Sequence, residues 1–249
     1  MTLSAEPSEQ ISEFQPVKSA PTPDVSVVIP ALNEQENLEL LLPLIWHETE
    51  QLELNPEIIV VDGGSHDQSQ AVAEKLGARV VEQTERGYGG ALLAGFAAAR
   101  APYVITMDAD LSHPPQFLKD FWDQREDSDL IVASRYVPGG QADMGTGRRI
   151  LSIILNRTYA VLLDVKLRDL SSGFRLYDRR ALATLDLQAR DFDALEEILV
   201  KIYARGGRVR EVPFHYQARN SGKSHAKLIK FGWAFSKTLM RMWRLRHGK

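Results

Sequence analysis

Two aspartates one residue apart, Asp108 and Asp110, follow an apolar stretch in the segment VITMDADLSHPP at residues 104–115. Carboxylate oxygens are the ligands that Mg²⁺ and Mn²⁺ prefer, and such an ion needs few of them when substrate phosphates and water complete its coordination. The pair therefore indicates a metal site that neutralises a diphosphate leaving group. A helix N-cap at Asp110 or Ser112, with Asp108 in solvent, explains the same residues equally well. A phosphatase-type aspartate nucleophile is disfavoured, because it is expected after the first strand of a sheet.

Apolar and helical segments alternate through the first half of the chain and must position these carboxylates. Strands are predicted at residues 25–32, 57–64, 78–83, 102–110 and 129–136, all apolar throughout. Asn33 is expected to cap the first helix with Glu36 as its capping-box partner, Gly77 to end the second, and proline to open the helix after residue 114. This alternation predicts an α/β fold of the Rossmann-like kind, with a mostly parallel central sheet covered by helices on both faces.

Polar residues stand at the ends of four of the predicted strands. The first strand ends at Asn33 and Glu34, the second at Asp62, the fourth at the aspartate pair and the fifth at Arg135. Ligands of parallel sheets bind beyond the carboxyl ends of the strands. The four ends together therefore predict the rim of an active site.

Several other segments leave two interpretations open. RGYGGALLAG (86–95) lacks the context of a dinucleotide loop and indicates a close helix–sheet contact or a substrate loop. Arg135, before a glycine-rich run, suits phosphate binding or an exposed connection. SSGFRLYDRRAL (171–182) is an acceptor-binding turn or a helix entry with a structural Arg175. Glu196 and Glu197 fit a solvated helix face better than a site. The basic loop YQARNSGKSHAK (216–227) suits clamping a phosphate.

Composition and charge divide the 249-residue chain into three predicted parts. Residues 1–24, rich in Ser, Pro and Glu, are expected to form a disordered tail, residues 25–226 one catalytic domain, and residues 227–249 a basic amphipathic helix. The absence of cysteine excludes disulfides and Cys-ligated zinc.

The end of the chain is strongly basic, since no acid follows Glu211. The helix at 227–249 is expected either to pack on the domain or to lie at an anionic membrane surface, and no nucleic-acid partner is expected. No apolar run reaches the roughly 20 residues of a membrane span, and the first residues lack the order of a secretory signal. We therefore expect a cytoplasmic protein, peripheral on the cytoplasmic face of a membrane.

Seven motifs in order carry a resemblance to a known family. VVIPALNE, VVDGGSHDQS, RGYGGALLAG, MDADLSHPP, SRYVPGG, SGFRLY and RNSGKS, within residues 25–228, resemble those of family 2 glycosyltransferases with a GT-A fold, and most closely the dolichol-phosphate (polyprenyl-phosphate) mannosyltransferases. The resemblance implies an inverting, metal-dependent transfer of a sugar, mannose from GDP-mannose, to a polyprenyl phosphate. An acceptor phosphate is already anionic, so the main task is to stabilise the departing diphosphate with a cation and arginines.

The resemblance also implies roles for particular residues. Asp110, Arg135 and Arg219 would be catalytic, and Asp108 and Asp110 would hold Mg²⁺ or Mn²⁺. The residues implied in donor binding are Pro30, Leu32, Glu34, Val61, Asp62, Gly63, Asp108, Ala109, Asp110, Ser112, Arg135, Arg219 and His225. Those implied in acceptor binding are Ser172, Arg175, Glu197, Lys223, Ser224 and Lys227.

Three positions depart from the family pattern and bear on the donor. Gly63 stands in place of a second aspartate, Leu32 in place of a common tyrosine, and His225 in place of a usual lysine, which Lys223 or Lys227 could replace. UDP-glucose or another nucleotide sugar is therefore the alternative donor. A non-catalytic, membrane-associated relative is the alternative from another class, and the intact aspartate pair and arginines speak against it.

Overall fold

The computed structural model describes residues 21–183, 185–217 and 228–247, with side chains in the last segment from residue 236 onward. Its strands are β1 (Val25–Ala31), β2 (Pro56–Asp62), β3 (Arg79–Glu82), β4 (Tyr103–Thr106), β5 (Leu130–Ser134), β6 (Gln141–Ala142), β7 (Arg175–Asp178), β8 (Val209–Pro213) and β9 (His215–Tyr216). Its helices are α1 (Gln35–Gln51), α2 (Ser69–Lys75), α3 (Tyr88–Ala98), α4 (Leu118–Gln124), α5 (Thr146–Leu162), α6 (Arg179–Ala183), α7 (Ala194–Ala204) and α8 (Leu228–His247).

Seven of the strands form one sheet in the order β3-β2-β1-β4-β7-β5-β8. All neighbouring pairs are parallel except those of β7, which runs antiparallel to β4 and β5. The predicted mostly parallel sheet is confirmed, and β1 to β5 are the five predicted strands. β4 is shorter than predicted, because its pairing with β1 and β7 ends at Thr106. Asp108 and Asp110 therefore lie in the loop after the strand.

Apolar residues fill two layers, one on each face of the sheet. On one face Val27 and Ile29 of β1 pack with Leu38 and Leu42 of α1 and with residues of α2 and α4. On the other face the core joins Val28 to residues of α3, α5, α7 and α8. Adjacent residues of β1 thus enter opposite layers, as the alternation of side chains along a strand requires.

The helix ends agree with the sequence in two cases and differ in one. Gly77 adopts the left-handed conformation after α2, and Pro115 opens a short 3₁₀ turn before α4, both as predicted. The predicted cap at Asn33 is wrong. Asn33 itself is left-handed (φ 55°), and its side chain accepts from the backbone N–H of His66, while Glu34 precedes the first helical residue.

The glycine-rich segment RGYGGALLAG forms a close helix–sheet contact through α3. A Cβ on Gly95 would lie 2.2 Å from Val28 Cγ1 of β1. Only glycine allows the helix to approach the sheet this closely. This is one of the two interpretations left open by the sequence.

The structure describes a small part of the predicted N-terminal tail and most of the predicted C-terminal helix. Residues 1–20 of the predicted tail lie outside the described residues, whereas Asp24 is held by reciprocal hydrogen bonds of 2.8 Å with Asn55. The predicted helix at the other end is α8. Met242 is fully buried against the core, and Thr238 donates to Asp193 over 2.5 Å. In the part of the chain that is described, none of the helices is both long and apolar enough to cross a membrane.

Candidate active site

An open cleft of about 1900 Å³ runs along the carboxyl edge of the sheet. It extends from the ends of β1, β2 and β3 past the loop after β4 to a wall made by α5, α7 and α8. Ten of the predicted site residues line it: Pro30, Leu32, Glu34, Asp62, Gly63, Asp108, Ala109, Asp110, Arg135 and Ser172. The polar residues that end β1, β2, β4 and β5 thus meet in one cleft, with the exception of Asn33.

The aspartate pair lies where the direction of winding of the sheet changes. The chain runs outward from β1 through β2 to β3, and then returns to place β4 on the other side of β1. Backbone hydrogen bonding continues from Val28 of β1 to Met107, one residue before Asp108. Such switch points open a crevice between neighbouring strand ends, which is where ligands bind in open α/β sheets.

Asp108 is held by two ring side chains. The Tyr88 hydroxyl donates to Asp108 Oδ1 over 3.1 Å, and the backbone N–H of Asp108 donates to His113 Nδ1 over 2.9 Å. Burial, and then the Asp108 carboxylate, raise the pKa of the Tyr88 hydroxyl well above its usual value. The hydroxyl therefore stays protonated and keeps donating to Asp108 at neutral pH. His113 is buried and stacks on Phe174 at 4.7 Å, which fixes its ring.

Asp110 is buried to 5% exposure, and its Oδ1 accepts the backbone N–H of Ser112 over 3.1 Å. Leu111 between them is left-handed (φ 61°), a conformation that costs a branched residue about 1–3 kcal/mol. The helix N-cap interpretation of the pair is wrong, because the following 3₁₀ turn begins at Pro115 with Pro114 as its N-cap. The strained turn instead directs Asp110 into the cleft.

The chemistry of the donor set suits a divalent cation that is shared with a substrate. Among the described residues no group of three or more His, Asp or Glu side chains is arranged to hold a metal ion. The cleft presents the carboxylates of Asp108 and Asp110, and the hydroxyl of Ser112, two residues after Asp110, is buried without a hydrogen-bond partner in the described residues. Two carboxylates leave most of an octahedral shell for phosphate oxygens and water, which fits Mg²⁺ or Mn²⁺.

Arg135 lies in the same cleft, held by a buried carboxylate. Its Nε and Nη2 donate to the two oxygens of Asp169, each over 2.7 Å, and Nη2 also donates to Ser171. Asp169 is fully buried and Arg135 is 12% exposed. Burial opposes the charged form, but Asp169 outweighs it and raises the pKa of Arg135 above its usual value. The exposed-connection interpretation is wrong: Arg135 is a fixed cation, with Nη1 outside its bonds to Asp169 and Ser171.

Asp62 shapes the opposite end of the cleft through a tight turn. Its carboxylate accepts from the backbone N–H groups of Gly64 and Ser65 and from the Gln70 amide. Burial raises the pKa of Asp62, but these hydrogen bonds outweigh it and lower the pKa below the usual value. At Gly63 an added Cβ would lie 3.1 Å from Gln83 Oε1. Gln83 thus occupies the space into which an aspartate at position 63 would project.

Four predicted site residues lie outside the cleft lining. Val61 is in the core beside Gly95, and Ser112 is fully buried. Arg175 is fully buried, and its guanidinium donates to the carbonyls of Ser172, Leu195 and Leu170. Arg175 therefore has the structural role that the sequence left open as the alternative to acceptor binding.

Glu197 joins α7 to two neighbouring segments instead of facing the cleft. Its carboxylate accepts from the backbone N–H of Gln188 and Ala189, from Lys201 over 2.7 Å and from Arg241 of α8 over 2.9 Å. Glu196 and Glu197 are 1% and 0% exposed, so the prediction of a solvated face is wrong. The remaining predicted residues, Arg219, Lys223, Ser224, His225 and Lys227, lie outside the described residues. Gln217 is the last described residue before Arg219, and its backbone N–H donates to the carbonyl oxygen of Ser112. This contact places Gln217 next to the aspartate pair.

Tyr88, His113 and Asp169 are functional contacts that are not among the residues predicted from the sequence. His113 had a signal, since it stands three residues after Asp110 in the same motif. Tyr88 and Asp169 lie 20 and 34 residues from the side chains that they contact. Nothing in the local pattern connects such pairs before the fold is known.

The chain has the open, mostly parallel α/β sheet of a GT-A glycosyltransferase fold, with an acidic pair at the switch point of the sheet. Residues 26–186 match the family described as Glycosyl transferase family 2. The chain belongs to this family and is a glycosyltransferase.

Curated relatives are similar to this chain over a longer stretch than the family match. The chain is 35% identical over 231 residues to the polyprenol monophosphomannose synthase of Mycolicibacterium smegmatis, covering 87% of this chain and 86% of that protein. It is 35% identical over 214 residues to the dolichol-phosphate mannosyltransferase of Pyrococcus furiosus, covering 82% of this chain and 59% of that longer protein. A dolichyl-phosphate hexose transferase of Haloferax volcanii is 30% identical over 220 residues, 88% of this chain and 93% of that protein.

Solved structures confirm the fold. Glucosyl-3-phosphoglycerate synthase from Mycobacterium tuberculosis, in a complex with Mn²⁺, UDP and glucosyl-3-phosphoglycerate, superposes with a TM-score of 0.69. The match covers 91% of this chain and 80% of that chain at 23% identity. The same protein with Mn²⁺, UDP-glucose and phosphoglyceric acid gives a TM-score of 0.69 at 24% identity, covering 90% of this chain and 79% of that chain. At these identities the likeness extends to the architecture alone.

Proposed function

We propose that this glycosyltransferase transfers mannose, with inversion, from GDP-mannose to a polyprenyl phosphate, using Mg²⁺ or Mn²⁺ held by Asp108 and Asp110. The observation that carries the proposal is the meeting of this acidic pair with the fixed guanidinium of Arg135 in one cleft. A site that must stabilise a departing diphosphate and attract a phosphate needs both features. The two 35%-identical relatives, both named for mannose transfer to a polyprenol or dolichol phosphate, support the choice of substrates.

The chain's own residues bind and orient the two substrates. A divalent cation, when bound, supplies positive charge to the leaving diphosphate. Tyr88 holds Asp108 by its hydroxyl, and the turn at Leu111 holds Asp110, so both carboxylates are fixed before a ligand arrives. Arg135, oriented by Asp169, offers its remaining edge to a phosphate. The acceptor phosphate is already anionic at neutral pH, so transfer does not depend on a general base.

The two ends of the cleft differ in polarity, and this supports assigning one substrate to each. The end at β1, β2 and β3 carries Glu34, Asp62 and Gln83 among its lining residues and suits a nucleoside. The wall at α5 and α8 contributes Leu151, Leu155 and other apolar residues. The second end favours the hydrocarbon chain of the acceptor, because contact with these apolar side chains removes the hydrocarbon from water.

The outer surface of α5 continues this apolar wall. Seven large apolar residues of the helix are exposed, namely Ile150, Leu151, Ile153, Ile154, Leu155, Val161 and Leu162. Arg148, Arg149 and Arg157 are exposed on the same helix. On α8, Met240, Trp243 and Leu245 are exposed, as are the basic residues Lys237 and Arg244. Exposed apolar side chains beside basic ones are typical of peripheral attachment to an anionic membrane, and we propose attachment at the cytoplasmic face.

The basic residues of α8 whose side chains are described fall into two groups. Arg241 is turned inward onto Glu197, and Arg246 donates to the carbonyl of Leu163, so both help to hold the helix on the domain. Lys237 and Arg244 remain exposed and available to lipid. One side of α8 therefore packs on the domain, and its exposed side is available for contact with a membrane.

Replacing exposed residues of these two helices is expected to weaken membrane binding without unfolding the protein. The double variants Ile150→Ser/Ile154→Ser and Lys237→Glu/Arg244→Glu should each lower the affinity for vesicles that contain phosphatidylserine by roughly 10-fold or more, because about 1 kcal/mol is lost per basic residue and a similar amount per apolar side chain. Cosedimentation with vesicles at low and high salt measures this, and only the contribution of the basic pair should disappear at high salt.

The matched control places the same charge change on the opposite face of the sheet. Lys75→Glu/Lys119→Glu alters exposed residues of α2 and α4 and should retain vesicle binding. Equal losses in the control and in the α8 variant would refute attachment through α8.

The substrates are tested directly with labelled nucleotide sugars. The enzyme is incubated with GDP-mannose, UDP-glucose or other donors, Mg²⁺ or Mn²⁺ and a polyprenyl phosphate, and the lipid is then extracted. We expect label in the lipid with GDP-mannose, lost on addition of EDTA. Labelling from UDP-glucose alone would instead make UDP-glucose the donor, in keeping with the departures at Gly63 and Leu32.

A further inference from the structure

Glu196 is a buried carboxyl group on the wall of the cleft that none of the established contacts uses. It lies in the first turn of α7, is 1% exposed, and lines the cleft. Its Oε2 has no hydrogen-bond partner among the described residues. A buried polar atom without a partner costs about 1–3 kcal/mol, so its presence in a cleft points to a ligand that completes it.

The surroundings of Glu196 favour its neutral form. Burial raises its pKa to about 8, and Asp193 and Asp169 act in the same direction, whereas Arg175 lowers it. Burial, and then Glu196, raise the pKa of the Tyr159 hydroxyl of α5 above its usual value. A neutral carboxyl can both donate and accept a hydrogen bond.

Arg175 connects Glu196 to the centre of the site. Its guanidinium donates to the carbonyl of Leu195, directly before Glu196, over 2.7 Å and to that of Ser172 over 2.7 Å. Ser172 lines the cleft, and a Cβ on the next residue, Gly173, would lie 3.6 Å from Asp108 Oδ1. One buried side chain therefore fixes the position of Glu196 relative to the aspartate pair.

We propose that the carboxyl group of Glu196 binds a hydroxyl group of the sugar that is transferred. This rests on the proposed function for the presence of a nucleotide-sugar donor. Glu196 lines the same cleft as Asp108 and Asp110, so a sugar attached to a diphosphate at that pair enters the cleft that Glu196 faces. A sugar hydroxyl, like a carboxyl group, is both a donor and an acceptor of hydrogen bonds.

The acceptor offers no equivalent partner for Glu196. A polyprenyl phosphate consists of hydrocarbon and an anionic phosphate. Hydrocarbon would leave Oε2 without a partner, and the oxygens of an ionised phosphate accept hydrogen bonds, so they match the O–H of the neutral carboxyl group but not its acceptor oxygen. The sugar is the substrate whose chemistry satisfies the group, so Glu196 is a residue for sugar specificity and not for binding the lipid.

The test compares a nucleoside diphosphate with its nucleotide sugar. Binding of GDP and of GDP-mannose, each with Mn²⁺, is measured by calorimetry for the wild-type protein, Glu196→Gln and Glu196→Leu. We expect Glu196→Leu to lose roughly 10-fold in affinity for GDP-mannose while its affinity for GDP changes less than about twofold, because only the sugar contact is removed. Glu196→Gln keeps a donor and an acceptor and should stay close to the wild type.

Two further measurements separate a sugar contact from a structural effect. In the wild type the gain in affinity from GDP to GDP-mannose should change near pH 8 as Glu196 ionises, because a carboxylate accepts from a sugar hydroxyl but no longer donates to it, and in Glu196→Gln the gain should stay constant. The folded-state pKa lies above that of the unfolded chain, so the wild type loses stability relative to Glu196→Gln between about pH 5 and pH 8. The neighbouring variant Glu197→Gln weakens a four-partner network and should lower the melting temperature at every pH.

The outcomes distinguish this inference from the proposed function. The inference would be overturned if Glu196→Leu bound GDP-mannose as tightly as the wild type, or if it lost as much affinity for GDP as for GDP-mannose. The proposed donor binding would stand in either case. If the wild type bound UDP-glucose and not GDP-mannose, the donor proposal would fail and the same comparison would be made with UDP and UDP-glucose. If it bound no nucleotide sugar, both proposals would fail.

Discussion

Replacing Asp110 with alanine is expected to lower kcat/KM for sugar transfer by about 10³-fold, because it removes half of the protein's ligands for a cation that neutralises the leaving diphosphate. The same change should abolish the rise in melting temperature that a nucleotide sugar and Mn²⁺ together produce in the wild type. Asp110 is buried at 5% exposure and held by the strained turn at Leu111, so its carboxylate has a fixed position in the cleft.

The competing explanation predicts a different pattern. If Asp110 only stabilised its loop through the bond to Ser112 N–H, alanine would lower the melting temperature slightly and leave transfer and ligand-induced stabilisation in place. The control is Asp120→Ala, which removes an exposed carboxylate in the first turn of α4 and should keep activity within about twofold. Full activity in the Asp110 variant would exclude the metal site.

The strand ends at the cleft could be predicted from the sequence, because they follow from local patterns. Continuous apolar strands separated by helical segments determine a parallel sheet, and a parallel sheet brings its carboxyl ends to one edge. This is why Glu34, Asp62, Asp110 and Arg135 all lie in the cleft as expected. The prediction required no knowledge of which strands are neighbours.

The residues that hold this rim in place could not be predicted in the same way. The partner of Arg135 is 34 residues away, and that of Asp108 is 20 residues away, so neither pair has a signature in the local sequence. The two glutamates of α7 were misleading for a different reason. Charged residues are seldom buried, but Glu197 can be buried because Lys201 and Arg241 neutralise it, and Glu196 can be buried because it favours its neutral form.

Replacing Asp169 with asparagine is expected to destabilise the protein by about 3 kcal/mol and to lower its melting temperature by roughly 10 °C. Asparagine keeps the shape of the side chain but not its charge, and Arg135, at 12% exposure, would remain a buried cation without its counter-ion. Removing one partner of a buried ion pair costs more than removing both. The double variant Arg135→Met/Asp169→Leu should therefore be more stable than Asp169→Asn, as measured by thermal and urea unfolding.

Measurements of activity separate the structural role of this ion pair from the proposed role of Arg135 in binding phosphate. The double variant lacks the cleft-lining guanidinium, so it should fold and yet lose transfer by about 10²-fold or more, since a fixed cation for the phosphates is missing. The matched control is the exposed pair of Lys119 and Asp123, whose side chains are 64% and 55% exposed. Lys119→Ala should change stability by less than about 1 kcal/mol and leave transfer unchanged. If the double variant retained wild-type transfer, Arg135 would be a structural residue, and the phosphate-binding role would have to lie with other basic groups of the chain.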